Sequence, residues 1–169
     1  YVGARQAEWP RADFIIGNPP YMGQARQRDA FGDGYVDALR TCYVELPDTA
    51  DLVMYWWWHA AAAVASDATL RAGLITTNTI TQSQNRAVIA EAAEAGARVM
   101  WAIPDHPWVD DIAGAAVRVA MTVISKRPSK ATLLQVDYNG NDVAEIVAAR
   151  LNSDLSAHAD VPTAAAQSL

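Results

Sequence analysis

Asn18, Pro19, Pro20 and Tyr21 stand in a row behind an apolar stretch, "ADFIIG" at residues 12–17. Proline cannot donate to a sheet ladder, so the four residues belong at the tip of a short buried strand. Asn18 offers a side-chain carbonyl acceptor and an amide donor. Pro19 offers a backbone carbonyl on a stiff scaffold, and Pro20 follows it without an N–H. Tyr21 offers a flat aromatic face. Two acceptors and one plate suit a planar substrate carrying an exocyclic NH2 group. Such an amine is a poor nucleophile because its lone pair is delocalised into the ring. Acceptors that draw its hydrogens out of plane localise the lone pair and aim it, so most of the catalysis is positioning and electrostatics. No metal and no covalent nucleophile is required. The plain alternative is a strand-ending turn, since Asn-Pro commonly initiates one.

The rest of the chain reads as the scaffold that positions this tip. Residues 22–50 form a long polar connection whose later part suits a helix, and connections of this length are often functional. Asp51 reads as the N-cap of a helix running to about Ser66. Strands are expected at 72–78, 97–104, 116–125 and 131–138, with a helix at 82–95 stopped by Gly96, a loop at 106–115 and a further helix at 142–152. Strands alternating with helices predict an α/β sheet with helices on its faces. A domain over residues 1–155 and a loose Ala-, Ser- and Pro-rich tail over 156–169 complete the division.

The 169 residues are 51% hydrophobic and 19% charged, enough for a core and incompatible with a wholly disordered chain. The longest apolar run, residues 53–65, is interrupted by His59 and is too short to span a bilayer. No basic, apolar leader is read at the start, and the single cysteine, Cys42, fits a reducing, cytoplasmic setting. The net charge of −6 makes the chain as a whole a poor nucleic-acid surface, so any such role must rest on a local site.

The NPPY tetrad after an apolar strand resembles the catalytic motif of amino-group methyltransferases, above all the N6-adenine DNA methyltransferases, which use S-adenosylmethionine on a Rossmann-like sheet. "DLVMYWWWHAA", "RAGLITTNTITQSQNR" and "DHPWVDDIAGAAVRVAMTVIS" are similar to successive later segments of the MmeI-like type II restriction–modification enzymes. The resemblance covers roughly residues 10–127. It implies the C-terminal half of a Rossmann-like methyltransferase sheet, mostly parallel, with the strand at 116–125 antiparallel. It also implies transfer of a methyl group from S-adenosylmethionine to a flipped-out adenine in duplex DNA, because the target nitrogen is otherwise inside the helix. Asn18 and the Pro19 carbonyl would then accept from the adenine amino group, with Tyr21 stacking on the base and Trp108 as the second aromatic. Asp51 begins the segment whose relatives pack against the cofactor. The family's glycine loop for S-adenosylmethionine and its ribose-binding acid are not found ahead of the motif, and no target-recognition domain follows. The resemblance thus implies a catalytic fragment whose partners are DNA, an N-terminal cofactor-binding half and a C-terminal recognition domain.

Other side chains have two readings each. Arg26 and Arg28 could clamp DNA phosphates or line a solvated loop, and Arg86 could meet a phosphate at a helix start or simply follow a capped turn. Trp56, Trp57 and Trp58 lie about 100° apart on a helix and cannot share one face, which leaves one or two to pack on the sheet and one to face a missing domain or cofactor. Asp105, His106, Asp110 and Asp111 match no standard metal-ligand spacing. Two other functions remain: an NPPY methyltransferase acting on protein glutamine or RNA, and an inactive fragment that only binds a partner.

Overall fold

Alternation starts at the first strand, where Ile15 packs inward while Phe14 and Ile16 point away at 60% and 88% exposure. This computed structural model describes residues 3–108, 117–126 and 130–158. Strand β1 (Phe14–Gly17) leads into the motif. The connection after it holds two helices, α1 (Gln24–Phe31) and α2 (Asp33–Cys42), hinged at Gly32, whose φ of +78° favours a residue without Cβ. Next come α3 (Val53–Ala65), β2 (Arg71–Thr77), a 3-10 turn (Asn78–Thr81) and α4 (Ser83–Glu94). The chain continues through β3 (Arg98–Trp108), β4 (Val117–Ser125), β5 (Ala131–Val136) and β6 (Asp142–Ala148).

The six strands form one sheet in the order β1-β2-β4-β3-β5-β6. Strand β1 pairs with β2, and β3 with β5, in parallel. Strand β4 runs antiparallel to both of its neighbours, as the resemblance implied. The chain is therefore α/β, with β1, β2, β3 and β5 pointing one way and their carboxyl ends gathered along one edge. That is where open α/β sheets place their ligands.

Helix α3 buries Val53, Trp57, Ala60, Ala61 and Val64, the i, i+4, i+7 stripe expected of a helix lying on a sheet. Trp57 is fully buried and its indole N–H donates to Thr122 Oγ1 at 3.1 Å, which satisfies that donor against β4. Trp56 and Trp58 flank it, partly buried. Leu74, Ile124, Val99, Ala102 and Leu133 supply the sheet side of this core. Among the described residues no helix is long and apolar enough to cross a membrane.

Residues 142–152 are not a helix. Asp142–Ala148 pairs antiparallel with β5 from Ala131↔Ala148 to Val136↔Asp142. Asn139-Gly140 closes a hairpin rather than ending an element, and β-branched Val143, Ile146 and Val147 suit the pleated surface. The loop expected at 106–115 begins later, since β3 runs on to Trp108, and residues 109–116 lie outside the described residues. So do residues 159–169, most of the expected tail.

Strand β1 is an edge strand with two large apolar side chains in the open, a template for pairing with another chain. The chain is expected to self-associate with rising concentration, and Ile16→Lys to suppress this while leaving the far-ultraviolet spectrum unchanged. Sedimentation velocity over a concentration series checks it.

Candidate functional site at the carboxyl edge of the sheet

Gly17 is the last residue of β1 to pair with β2, opposite Leu74, and the chain leaves the sheet at Asn18. Pro19 is buried, whereas Asn18 and Pro20 are exposed and Tyr21 is half-buried against the core. The tetrad therefore has a rooted middle and two presented side chains. The Tyr21 hydroxyl donates to Asn18 Oδ1. Partial burial raises the Tyr21 phenol above its ordinary value, and the bond to Asn18 works in the opposite direction. The hydroxyl thus stays a donor at neutral pH and fixes which way the Asn18 amide faces. One Oδ1 lone pair remains for an incoming N–H.

Behind the motif, Asp51 forms a lock that the sequence reading missed. It does not cap α3, whose N-cap position is Leu52. One Asp51 carboxylate oxygen accepts from the Gln24 N–H at 3.2 Å. The other accepts from Thr79 Oγ1 and from Asn85 Nδ2, both at 2.8 Å. Asn85, fully buried, accepts through its Oδ1 from the Asp51 N–H at 3.0 Å, and its Nδ2 also donates to the Thr79 carbonyl at 3.0 Å. The Leu52 N–H donates to the Met22 carbonyl at 2.8 Å. The segment just after Tyr21 is thereby tied to the end of β2 and the start of α4. A buried Asn facing an Asp across 34 residues leaves no pattern in the sequence, which is why it could not be read there.

Three strand spacings, about 14 Å, separate the ends of β1 and β3, so the sheet itself does not bring Tyr21 and Trp108 together. Trp108 pairs opposite Val117 at the tip of the β3–β4 ladder and is partly buried. Between the two, Asp105 Oδ1 accepts from Arg118 Nε at 2.6 Å and from Asn78 Nδ2 at 3.2 Å. This cross-link of β2, β3 and β4 holds the Trp108 hairpin beside the end of β2. Asp105 thus binds an arginine and an amide; among the described residues no three His, Cys, Asp or Glu are grouped as metal ligands.

The arginines differ in their commitments. Arg28 is held by Asp33 and Asp37, both at 2.8 Å, and these two carboxylates outweigh its charge toward a phosphate. Arg26 lines an open cleft of about 590 Å³ together with Gln24, Asp51, Ser83 and Gln84. Arg86 is exposed on the first turns of α4 and lies within electrostatic reach of Asp154. A separate apolar cavity of about 310 Å³ lies under residues 4–9, between α2 and α3. Trp9 stacks there on His59 with ring centroids 4.3 Å apart, and burial lowers the His59 pKa. That imidazole also meets the Tyr43 hydroxyl through Nδ1 at 3.3 Å and lines this cavity.

The family model "MmeI, DNA-methyltransferase domain" matches residues 3–135. A solved structure of the type IIL restriction–modification enzyme MmeI in complex with DNA is similar to this chain with a TM-score of 0.73 and 26% identity. The match covers 88% of this chain and 20% of that one, so the chain spans about one fifth of that enzyme's length. No curated protein matches the chain.

Proposed function

Since this chain belongs to the MmeI DNA-methyltransferase domain family, we propose that it supplies the amine-orienting part of an adenine-N6 DNA methyltransferase in a restriction–modification enzyme. The observation that carries the reading is Asn18 and Tyr21 presented side by side on a buried proline, at the carboxyl end of an edge strand. Asn18 Oδ1 and the Pro19 carbonyl accept the two amino hydrogens of a flipped-out adenine. Tyr21 stacks on the ring, and Trp108, held by the Asp105–Arg118 pair at the end of β3, is the second aromatic on the same edge of the sheet. Arg26 and Arg86 are the arginines placed for backbone phosphates.

The methyl donor is S-adenosylmethionine, whose sulfonium supplies an electrophilic methyl group. The described residues fit this donor only in part. Asp51 has both oxygens committed to internal donors, which leaves it a poor ligand for ribose hydroxyls. The steps assigned to this chain are therefore those of the acceptor side: bind the base, orient its amine and strip it of water. The donor side and the reading of a target sequence fall to other parts of the polypeptide that carries this chain.

The test is transfer of labelled methyl from S-adenosylmethionine by the polypeptide that carries this chain. Duplex DNA, RNA and a glutamine-bearing protein are offered in parallel. N6-methyladenine in digested DNA is the expected product. Label found only in RNA or protein, or on cytosine, overturns the proposal.

Tyr21→Phe separates the two roles of that residue. It keeps the stacking plate and removes the hydroxyl that orients Asn18, so the rate is expected to fall by about three- to tenfold, the worth of one hydrogen bond. Tyr21→Ala should lose that and also base affinity, about tenfold more for one stacking contact. Single-turnover rates and duplex affinities measured side by side separate the two.

A further inference from the structure

Helices α3 and α4 lie on the same face of the sheet. Helix α3 packs on β2 and β4 and helix α4 on β3, and both share a core with Ala72, Leu74, Ile124, Val99 and Ala102. The strand residues that alternate with these point the other way. Across all six strands they form one register row: Ile16, Gly73, Val123, Trp101, Thr132 and Val147. Ile75 and Met121 pair in the next row. None of these belongs to the core under the helices. Ile16 and Val147 stand in the open at the two edges, and the others are half-buried. Within 4 Å, a Cβ on Gly73 would meet Val123 Cγ2 alone among the described residues, so the middle of this face is open.

The composition of this face does not suit water. A sheet with one solvated face alternates apolar with polar residues, whereas this one turns Ile75, Met121, Val123 and Trp101 outward at its centre. Topology indicates what covers it. The crossovers β1–α3–β2 and β2–α4–β3 carry the chain the same way across the sheet, and right-handed crossovers then put both helices on one face. Helices on the opposite face need crossovers that run the other way, outward from the free edge of β1. Charge points to the same occupant. Arg71 and Arg98, both exposed, flank Ser125 in the row at the amino ends of β2 and β3. A helix returning antiparallel to these strands ends there, and its C-terminal carbonyls carry partial negative charge. Five strand spacings, about 24 Å, take two helices about 10 Å apart, as on the covered face. The similar MmeI structure has chain enough to supply them, since the match covers 20% of it.

We propose that this face seats a second helix layer: two amphipathic helices from another part of the polypeptide that carries this chain, laid antiparallel to β2 and β3 with their C-terminal ends at Arg71 and Arg98. Ile16, two residues before Asn18, makes the motif strand part of the seat. The proposal rests on topology and on the composition of the face, and holds whatever accepts the methyl group.

The experiment is maleimide labelling of Val123→Cys, with Cys42→Ser removing the native thiol, in the chain alone and in the polypeptide that carries it. The polypeptide is expected to react at least about 100-fold more slowly than the chain alone. Val64→Cys, in the core under α3, should be slow in both and reports that each is folded. Equal rates at Val123→Cys in both overturn the proposal. Slow reaction in the chain alone overturns it too, and a doubled mass by light scattering then makes a second copy the occupant. Arg71→Glu with Arg98→Glu tests the helix ends. The polypeptide should lose about 2–4 °C in Tm and the chain alone almost nothing. Equal losses in both overturn the assigned orientation. The methyl-transfer assay decides the methyltransferase reading separately.

Discussion

Asn18→Ala is expected to lower the single-turnover rate of methyl transfer by a factor of about 10² to 10³, with duplex affinity within about twofold of wild type. The asymmetry follows from where Asn18 is. Its side chain is exposed and hydrogen-bonded to the Tyr21 hydroxyl, so removing it opens no buried cavity and costs little stability. On the proposed chemistry its carbonyl meets an amino hydrogen most strongly when the nitrogen has become tetrahedral and positive. The interaction therefore belongs to the transition state more than to the bound substrate, and its loss appears in the rate rather than in binding. Asn18→Asp is the informative companion. It restores two acceptor oxygens and still takes the Tyr21 hydroxyl bond, so it should recover part of the rate that alanine loses. If alanine and aspartate fall equally, or if alanine costs mainly affinity, the side chain serves shape rather than electrostatics.

What could be read in the sequence follows from the range of each signal. The NPPY tip is local: proline chemistry ends the strand where expected, but β1 spans only Phe14–Gly17 and is a half-exposed edge strand rather than the buried strand that the apolar run at 12–17 suggested, because it pairs on one side alone. Helices α3 and α4 and strands β2 to β5 were legible from periodicity within a residue or two at most ends. The β6 hairpin was missed because "DVAEIVAAR" fits a helical period as well as an alternating one. What decides is the long-range pairing with β5, anchored by a turn that lets Gly140 seat on His106. The second half of the site failed for the same reason. Asp105 and Arg118 are thirteen residues apart in sequence and become a pair only when β3 folds back on β4. Arg28, which composition offers to phosphate, is claimed by two acids that the α1–α2 hinge brings to it.

Asp51 carries the largest expected effect on stability. Asp51→Ala removes three accepted hydrogen bonds to a charged group and leaves the fully buried Asn85 amide with one donor unpaired toward that side. Bonds to a charged acceptor are worth more than neutral ones, and an orphaned buried donor bears its desolvation cost. A loss of about 2–4 kcal/mol is expected in urea unfolding. Asp51→Ala with Asn85→Ala should cost less than the sum of the two, by about 1–3 kcal/mol, because each single change already breaks the bond from Asn85 Nδ2 to the Asp51 carboxylate. The effect also has a direction in space. Gln24 and Met22, through Leu52, are the points where the lock grips the segment behind Tyr21, so that segment should open before the sheet does. Hydrogen exchange at residues 22–26 is expected to accelerate in Asp51→Ala under conditions where β2 and β4 stay protected. Methyl transfer falling further than the folded fraction would then mean that the lock exists to hold the motif. A fall that only tracks the folded fraction would reduce Asp51 to a structural tie.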